Sequence, residues 1–124
     1  CLMGDQELME GTTWESLHII NNYKIKNIVL IIDRNNSDFR SIKFLNIKKK
    51  LSVFCDKILE IDGHNIKSLT NSISKSLNKK NSFEIIIANT VKGKGIIEME
   101  NNPAWHHKAP SKNEMKKFKL ELKI

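Results

Sequence analysis

At 124 residues, 40% of them hydrophobic, the chain is long enough to bury one core and too short for two comfortable ones, so one globular unit is expected. No apolar run approaches the ~20 residues that span a bilayer, and two cysteines, Cys1 and Cys55, make no disulfide framework, which leaves a reducing, cytoplasmic setting as the default. The net charge of +7 invites a nucleic-acid reading, but lysines gathered at Lys48-Lys49-Lys50, Lys79-Lys80 and Lys116-Lys117 fit solvated helix faces, and only 6% of residues are aromatics on which bases could stack.

Cys1-Leu2-Met3 reads as the tail of a buried strand, with no initiator methionine or signal peptide before it, so the chain is expected to be cut from something longer. Thr12-Thr13-Trp14-Glu15 has the form of a capping box and predicts a helix to about Tyr23. Asn27 to Ile32 is a strand, Ile42 to Phe54 a less regular helical stretch, and Lys57 to Ile61 another strand. Ile66, Leu69, Ile73 and Leu77 recur at helical spacing and predict one apolar stripe facing a sheet. Phe83 to Ala88 is a further strand, and Ser111-Lys112-Asn113-Glu114 a second capping box, followed by Met115, Phe118 and Leu122 on one helix face. The strands around Val29 and Ile86 are nearly continuous in isoleucine, leucine and valine, as strands buried on both faces are. Alternating strands and helices without hairpin turns predict an α/β fold, a parallel sheet with right-handed crossovers and helices on both faces.

Ligands of such sheets bind beyond the carboxyl ends of the strands. Each expected strand is followed there by a polar or glycine-bearing loop: Gly4-Asp5-Gln6-Glu7, Asp33-Arg34-Asn35-Asn36, Asp62-Gly63-His64-Asn65 and Thr90-Val91-Lys92-Gly93-Lys94-Gly95. Asp5 offers a carboxylate and Asn35 a neutral amide oxygen, a pair suited to a hard cation, Mg2+ or Ca2+, bridged to phosphates. The same placement would let Asp5 simply cap the helix that follows. The Thr90 to Gly95 loop resembles a phosphate cradle in composition but lacks the spacing of the nucleotide-hydrolase loop, and taken by itself it is better explained as an exposed basic turn. His106 and His107 stand in a loop bounded by Pro103 and Pro110; they could donate to sugar hydroxyls or exchange protons, and they lack the spacing of a zinc site. His64 is expected to organise a turn and a helix start, and Trp14 to belong to the core.

Taken together, these motifs resemble the thiamine-diphosphate-binding domain of transketolases, most closely the N-terminal subunit of the split, two-chain type. The resemblance runs through Gly4 to Gly11 with Trp14-Glu15, Asn27 to Asn35, Glu60 to His64, Ala88 to Gly95 and Met99 to His106. It implies that residues 1–124 form the C-terminal part of such a domain, with upstream strands missing. It makes Asp5 and Asn35 the side-chain metal ligands, joined by a backbone carbonyl at about Ser37, and lays Gly4 and Gln6 against the diphosphate. Glu10 matches an acidic position near the subunit interface, His106 a catalytic histidine near the diphosphate and the donor sugar's hydroxyls, and Lys92 a residue of the neighbouring loop.

The implied activity is transfer of a two-carbon ketol unit from a ketose to an aldose, with sugar phosphates as substrates. Thiamine diphosphate would supply the difficult chemistry. A pyrimidine-binding subunit or domain is the implied partner, in a dimer of such units. The family pattern has glycine where this chain has Gln6, because a backbone amide there approaches the diphosphate, and glycine is common where His107 stands. The loop after Asn35 is also shorter than is usual in the family. A rival reading therefore keeps the fold and a partner interface in a degenerate or truncated, non-catalytic subunit, and a further one makes the chain a basic nucleic-acid-binding module.

Overall fold

Branched aliphatic residues build the strands β1 (Leu2–Gly4), β2 (Ile28–Arg34), β3 (Ile58–Asp62) and β4 (Phe83–Asn89), which pair in parallel in the order β1-β2-β4-β3. The computed structural model describes residues 1–36, 45–79 and 81–124. These form two compact units, Cys1–Thr90 with the sheet and Val91–Ile124. In the first unit, helices α1 (Gly11–Asn22), α2 (Ile47–Leu51) and α3 (Ile66–Leu77) connect successive strands, and the α/β, parallel-sheet expectation is met.

The register Leu30↔Ile85 and Ile32↔Ile87 sets the core side of the sheet. Leu17 of α1 and Ile47 and Leu51 of α2 cover that side, with Leu8, Cys55, Trp14 and Phe54 filling around them. Each fully buried aliphatic side chain here contributes roughly 1.5–3 kcal/mol. Trp14 packs on this core as expected and anchors its indole N–H on the Leu8 carbonyl at 2.9 Å.

On the opposite side, where Ile31 pairs with Ile86, α3 meets the sheet differently from the predicted stripe. Leu69 and Ile73 are half-buried, but Ile66 and Leu77 are 70% and 67% exposed, and the buried residue of the helix is Ser76. Its hydroxyl donates to Glu84 of β4 at 2.8 Å, and a polar contact thus occupies the place an apolar one was expected to take. Burial works against the ionised Glu84, but hydrogen bonds from Ser76, Lys79 (3.0 Å) and Ser82 (3.2 Å) outweigh it and hold its carboxyl below the usual range. A folded value below the unfolded one gives stability that is present above the ordinary carboxylate range and lost as pH falls through the folded value. Glu84→Gln is therefore expected to cost about 1 kcal/mol near neutral pH, with the gap to the wild-type melting temperature closing as melts are recorded at progressively more acid pH.

Two helix starts also differ from expectation. Helix α1 begins at Gly11, with Glu10 at its N-cap and no side-chain cap bond, so the Thr12–Glu15 capping box does not form. The cause lies upstream: a 3-10 turn over Asp5–Met9 leads into α1, so the helix starts at Gly11 and Thr12 lies inside its first turn instead of at the N-cap. Helix α2 covers only Ile47–Leu51 of the stretch expected from Ile42 to Phe54, whose first residues lie outside the described ones.

In the second unit the predicted capping box is present at helix α4 (Lys112–Leu122), where the Ser111 hydroxyl accepts from the Glu114 N–H and the Glu114 carboxylate from the Ser111 N–H. Lys108, 2.6 Å away, joins Ser111 in holding the Glu114 carboxyl down to about 2. Phe118 of α4 is buried with its ring edge-on to Trp105 at 5.3 Å. Gly93 stands in the left-handed region at φ +79°, and a Cβ there would come within 2.5 Å of the Met99 carbonyl, so this turn requires glycine.

Candidate functional site

Parallel pairing sends the carboxyl ends of all four strands to one edge. Because Gly4 is in register with Asp33, the loops after β1 and β2 leave that edge side by side. Asp5, the first residue of the 3-10 turn, is buried at 5% exposure, and its Oδ2 accepts the Asn36 N–H at 2.9 Å. The N-cap of α1 is Glu10, so Asp5 does not cap that helix; its carboxylate reaches across to the β2 loop instead. Asn35 donates its Nδ2 to Asp33 Oδ2 at 3.1 Å, and the other Asp33 oxygen accepts the Thr90 hydroxyl. The Thr90 N–H in turn donates to the Arg34 carbonyl at 3.0 Å.

Asp5 and Asn35, singled out from the sequence, are thus brought to neighbouring strand ends. Asp33 and Thr90 tie the second of them to β4, and sequence reasoning gave neither a role. The available signal was Asp33 itself, a carboxylate at the end of a buried aliphatic run. Gly4 is extended (φ −84°, ψ 169°), and a Cβ on it would meet the movable Glu7 carboxylate tip. Gln6 sits half-buried in the 3-10 turn with no left-handed backbone strain. Glu10 is exposed, and Ser37 lies outside the described residues.

The loop after β3 supports this edge. The Gly63 N–H donates to the Asn89 carbonyl at 2.8 Å, and a Cβ at Gly63 would stand 2.5 Å from Thr90 Cγ2, so only glycine lets the turn lie against Thr90. His64 was expected to organise this turn. Within it Asp62 accepts the His64 N–H at 2.9 Å, and Asn65 starts α3 by accepting the Ser68 N–H at 2.9 Å. Both side chains are short acceptors that reach nearby amides.

The donors at this edge are hard. One carboxylate and one amide oxygen suit a divalent cation of the magnesium or calcium type, and they leave most of its coordination for an anionic ligand to complete. Among the described residues no group of three or more His, Cys, Asp or Glu side chains forms a metal cage.

In the second unit the structure joins two other predicted residues. Lys92 Nζ lies 2.6 Å from His106 Nδ1. An ammonium can only donate, so Nδ1 accepts and the ring proton sits on Nε2. His106 closes the 3-10 turn Pro103–Trp105, whose start is capped by Asn102 Oδ1 accepting the Ala104 N–H at 3.0 Å. His107 packs edge-on against the His106 ring at 4.3 Å.

Lys79, Lys94, Lys108 and Lys117 pair with Glu84, Glu100, Glu114 and Glu98, pairs that the net charge of +7 already counts. Among the described residues no helix is long and apolar enough to cross a membrane.

Residues 1–123 match the family model described as the transketolase, thiamine diphosphate binding domain. One of the subunits of the apulose-4-phosphate transketolase of Actinobacillus succinogenes is 34% identical over 127 residues, covering 98% of this chain and 46% of that protein. The human transketolase is 35% identical over 118 residues, 91% of this chain and 18% of its own length. The crystal structure of transketolase from Campylobacter jejuni superposes on the whole chain with a TM-score of 0.84 at 27% identity, over 20% of that chain. The chain thus spans less than half the length of these relatives.

Proposed function

Since the chain belongs to the family of the transketolase thiamine diphosphate-binding domain, we propose that residues 1–124 form the C-terminal part of such a domain and anchor thiamine diphosphate through Mg2+ or Ca2+. The enzyme it serves transfers a two-carbon ketol unit from a ketose to an aldose. The observation that carries this reading is the adjacency of the Asp5 and β2 loops at one sheet edge, closed by the Asn36 N–H on the Asp5 carboxylate.

Asp5 and Asn35 would hold the cation through oxygen, with a backbone carbonyl near Ser37. Gly4 and Gln6 would offer backbone to the diphosphate, and Lys92 a cation. When bound, the cofactor would supply the nucleophilic carbon and the electron sink that cleavage of a ketose beside its carbonyl requires. The task of His106 is then narrow. With Nδ1 accepting from Lys92, its Nε2–H is the group able to donate to a sugar hydroxyl or a phosphate oxygen, and Lys92 keeps that tautomer in place.

The Actinobacillus relative is named as one subunit of its enzyme, which supports a separate partner chain here, a pyrimidine-binding one, with Glu10 exposed near the interface and the units dimeric. Sugar phosphates are the proposed substrates, and the free thiols of Cys1 and Cys55 fit a cytoplasmic setting. Titration of the chain together with its pyrimidine-binding partner should show saturable thiamine diphosphate binding that disappears with EDTA and returns with Mg2+. Absence of metal-dependent binding would replace this reading with that of a non-catalytic subunit.

A further inference from the structure

We propose that Asp33 and Thr90 are positioning residues that fix which atom of the Asn35 amide faces the cation. The inference rests on the proposed metal-anchoring role of Asn35. An asparagine side chain is nearly symmetric in shape, but only one of its two ends can ligate a cation. The other carries two protons and would repel it. Left to itself, the amide can turn either end outward, so a site that depends on it needs something to set its orientation.

Asp33 provides that setting. An ionised carboxylate only accepts, so the atom of Asn35 lying 3.1 Å from Asp33 Oδ2 must be the nitrogen, and the amide oxygen is turned away from it. Asp33 is itself fixed, because its other oxygen accepts the Thr90 hydroxyl and the Thr90 backbone is tied to Arg34. Asp33 and Ala88 are partners in the β2–β4 register, and Thr90 follows two residues after Ala88, so the two side chains meet on the same side of the sheet. Gly63 admits Thr90 to this place, since a Cβ at residue 63 would collide with its methyl group. The chain of contacts runs from β3 and β4 through Thr90 and Asp33 to Asn35, and only its last member would touch the metal. Residues that orient a metal ligand in this way commonly govern affinity nearly as strongly as the ligands do.

The test is Mn2+ binding in the presence of thiamine diphosphate, followed by electron paramagnetic resonance on the full chain with its partner, with melting temperatures of the metal-free proteins as a check on folding. Asp33→Leu should weaken Mn2+ binding roughly 10- to 100-fold. Adding Asn35→Asp to it should recover most of that loss, because a carboxylate has two equivalent oxygens and no wrong face, a rescue that a merely structural role for Asp33 would not allow. Asp33→Asn, which loses the charge but can still accept from Asn35, should bind clearly better than Asp33→Leu. Thr90→Val gives a smaller loss in the same direction and serves where Asp33→Leu does not fold. Wild-type affinity in Asp33→Leu, or equal losses in the Leu and Asn variants, overturns the orienting role and leaves the metal-anchoring reading intact. Failure of the wild type itself to bind Mn2+ with the cofactor overturns both.

Discussion

Replacing Asp5 with alanine is expected to abolish metal-dependent retention of thiamine diphosphate. Asp5 is the one anionic side chain assigned to the cation, and its carboxylate also receives the Asn36 amide that holds the two ligand loops together. Loss of a neighbour that merely orients a ligand costs roughly 10- to 100-fold in metal affinity, and loss of the charged ligand should exceed that range. Isothermal titration of cofactor in the presence of Mg2+ reads the effect directly. Unchanged affinity in Asp5→Ala would remove Asp5 from the site, and with it the metal assignment.

The second large effect is structural. Ile86 lies in the central strand, is fully buried, and faces the side of the sheet on which Glu84 meets Ser76. Truncation to alanine leaves a cavity between well-packed neighbours and should cost about 2–5 kcal/mol, seen as a lowered midpoint in urea unfolding. Ile66→Ala on α3 supplies the contrast. It is an equally apolar residue of the predicted stripe, yet its 70% exposure limits the expected change to about 0.5 kcal/mol. Comparable losses at both positions would mean that Ile66 is packed after all.

These contrasts mark what the sequence could reveal. The strands were legible because runs such as Ile28–Arg34 and Phe83–Asn89 carry their own signature of β-branched residues, and the Ser111–Glu114 cap because all of its partners lie within four residues. The Thr12 cap had the same letters but a different fate, because a 3-10 turn over Asp5–Met9 precedes the helix, which starts at Gly11 and takes Thr12 inside it. Helical spacing on α3 located the apolar residues without telling which would be covered, because that depends on Glu84, a polar residue from another element. Asp5 and Asn35 could be singled out by their position after apolar runs. Asp33 shares that position, but its contact with Thr90 could not be read, since it is made by strand order, which places β4 beside β2 although β3 comes between them in sequence.

That strand order also has a temporal side. Strand β4 hydrogen-bonds both β2 and β3, and of the four described strands it is the last in chain order to leave the ribosome. Until Phe83–Asn89 is available, β3 has no neighbour among the described strands, and Asp33 lacks the hydroxyl that steadies it. The non-local pairings that complete the sheet are the slow class of folding event. The Asp33–Thr90 contact and sheet closure therefore arise together, so a nascent or locally opened chain holds its Asp5 and Asn35 loops without the arrangement on which the proposed cation site depends.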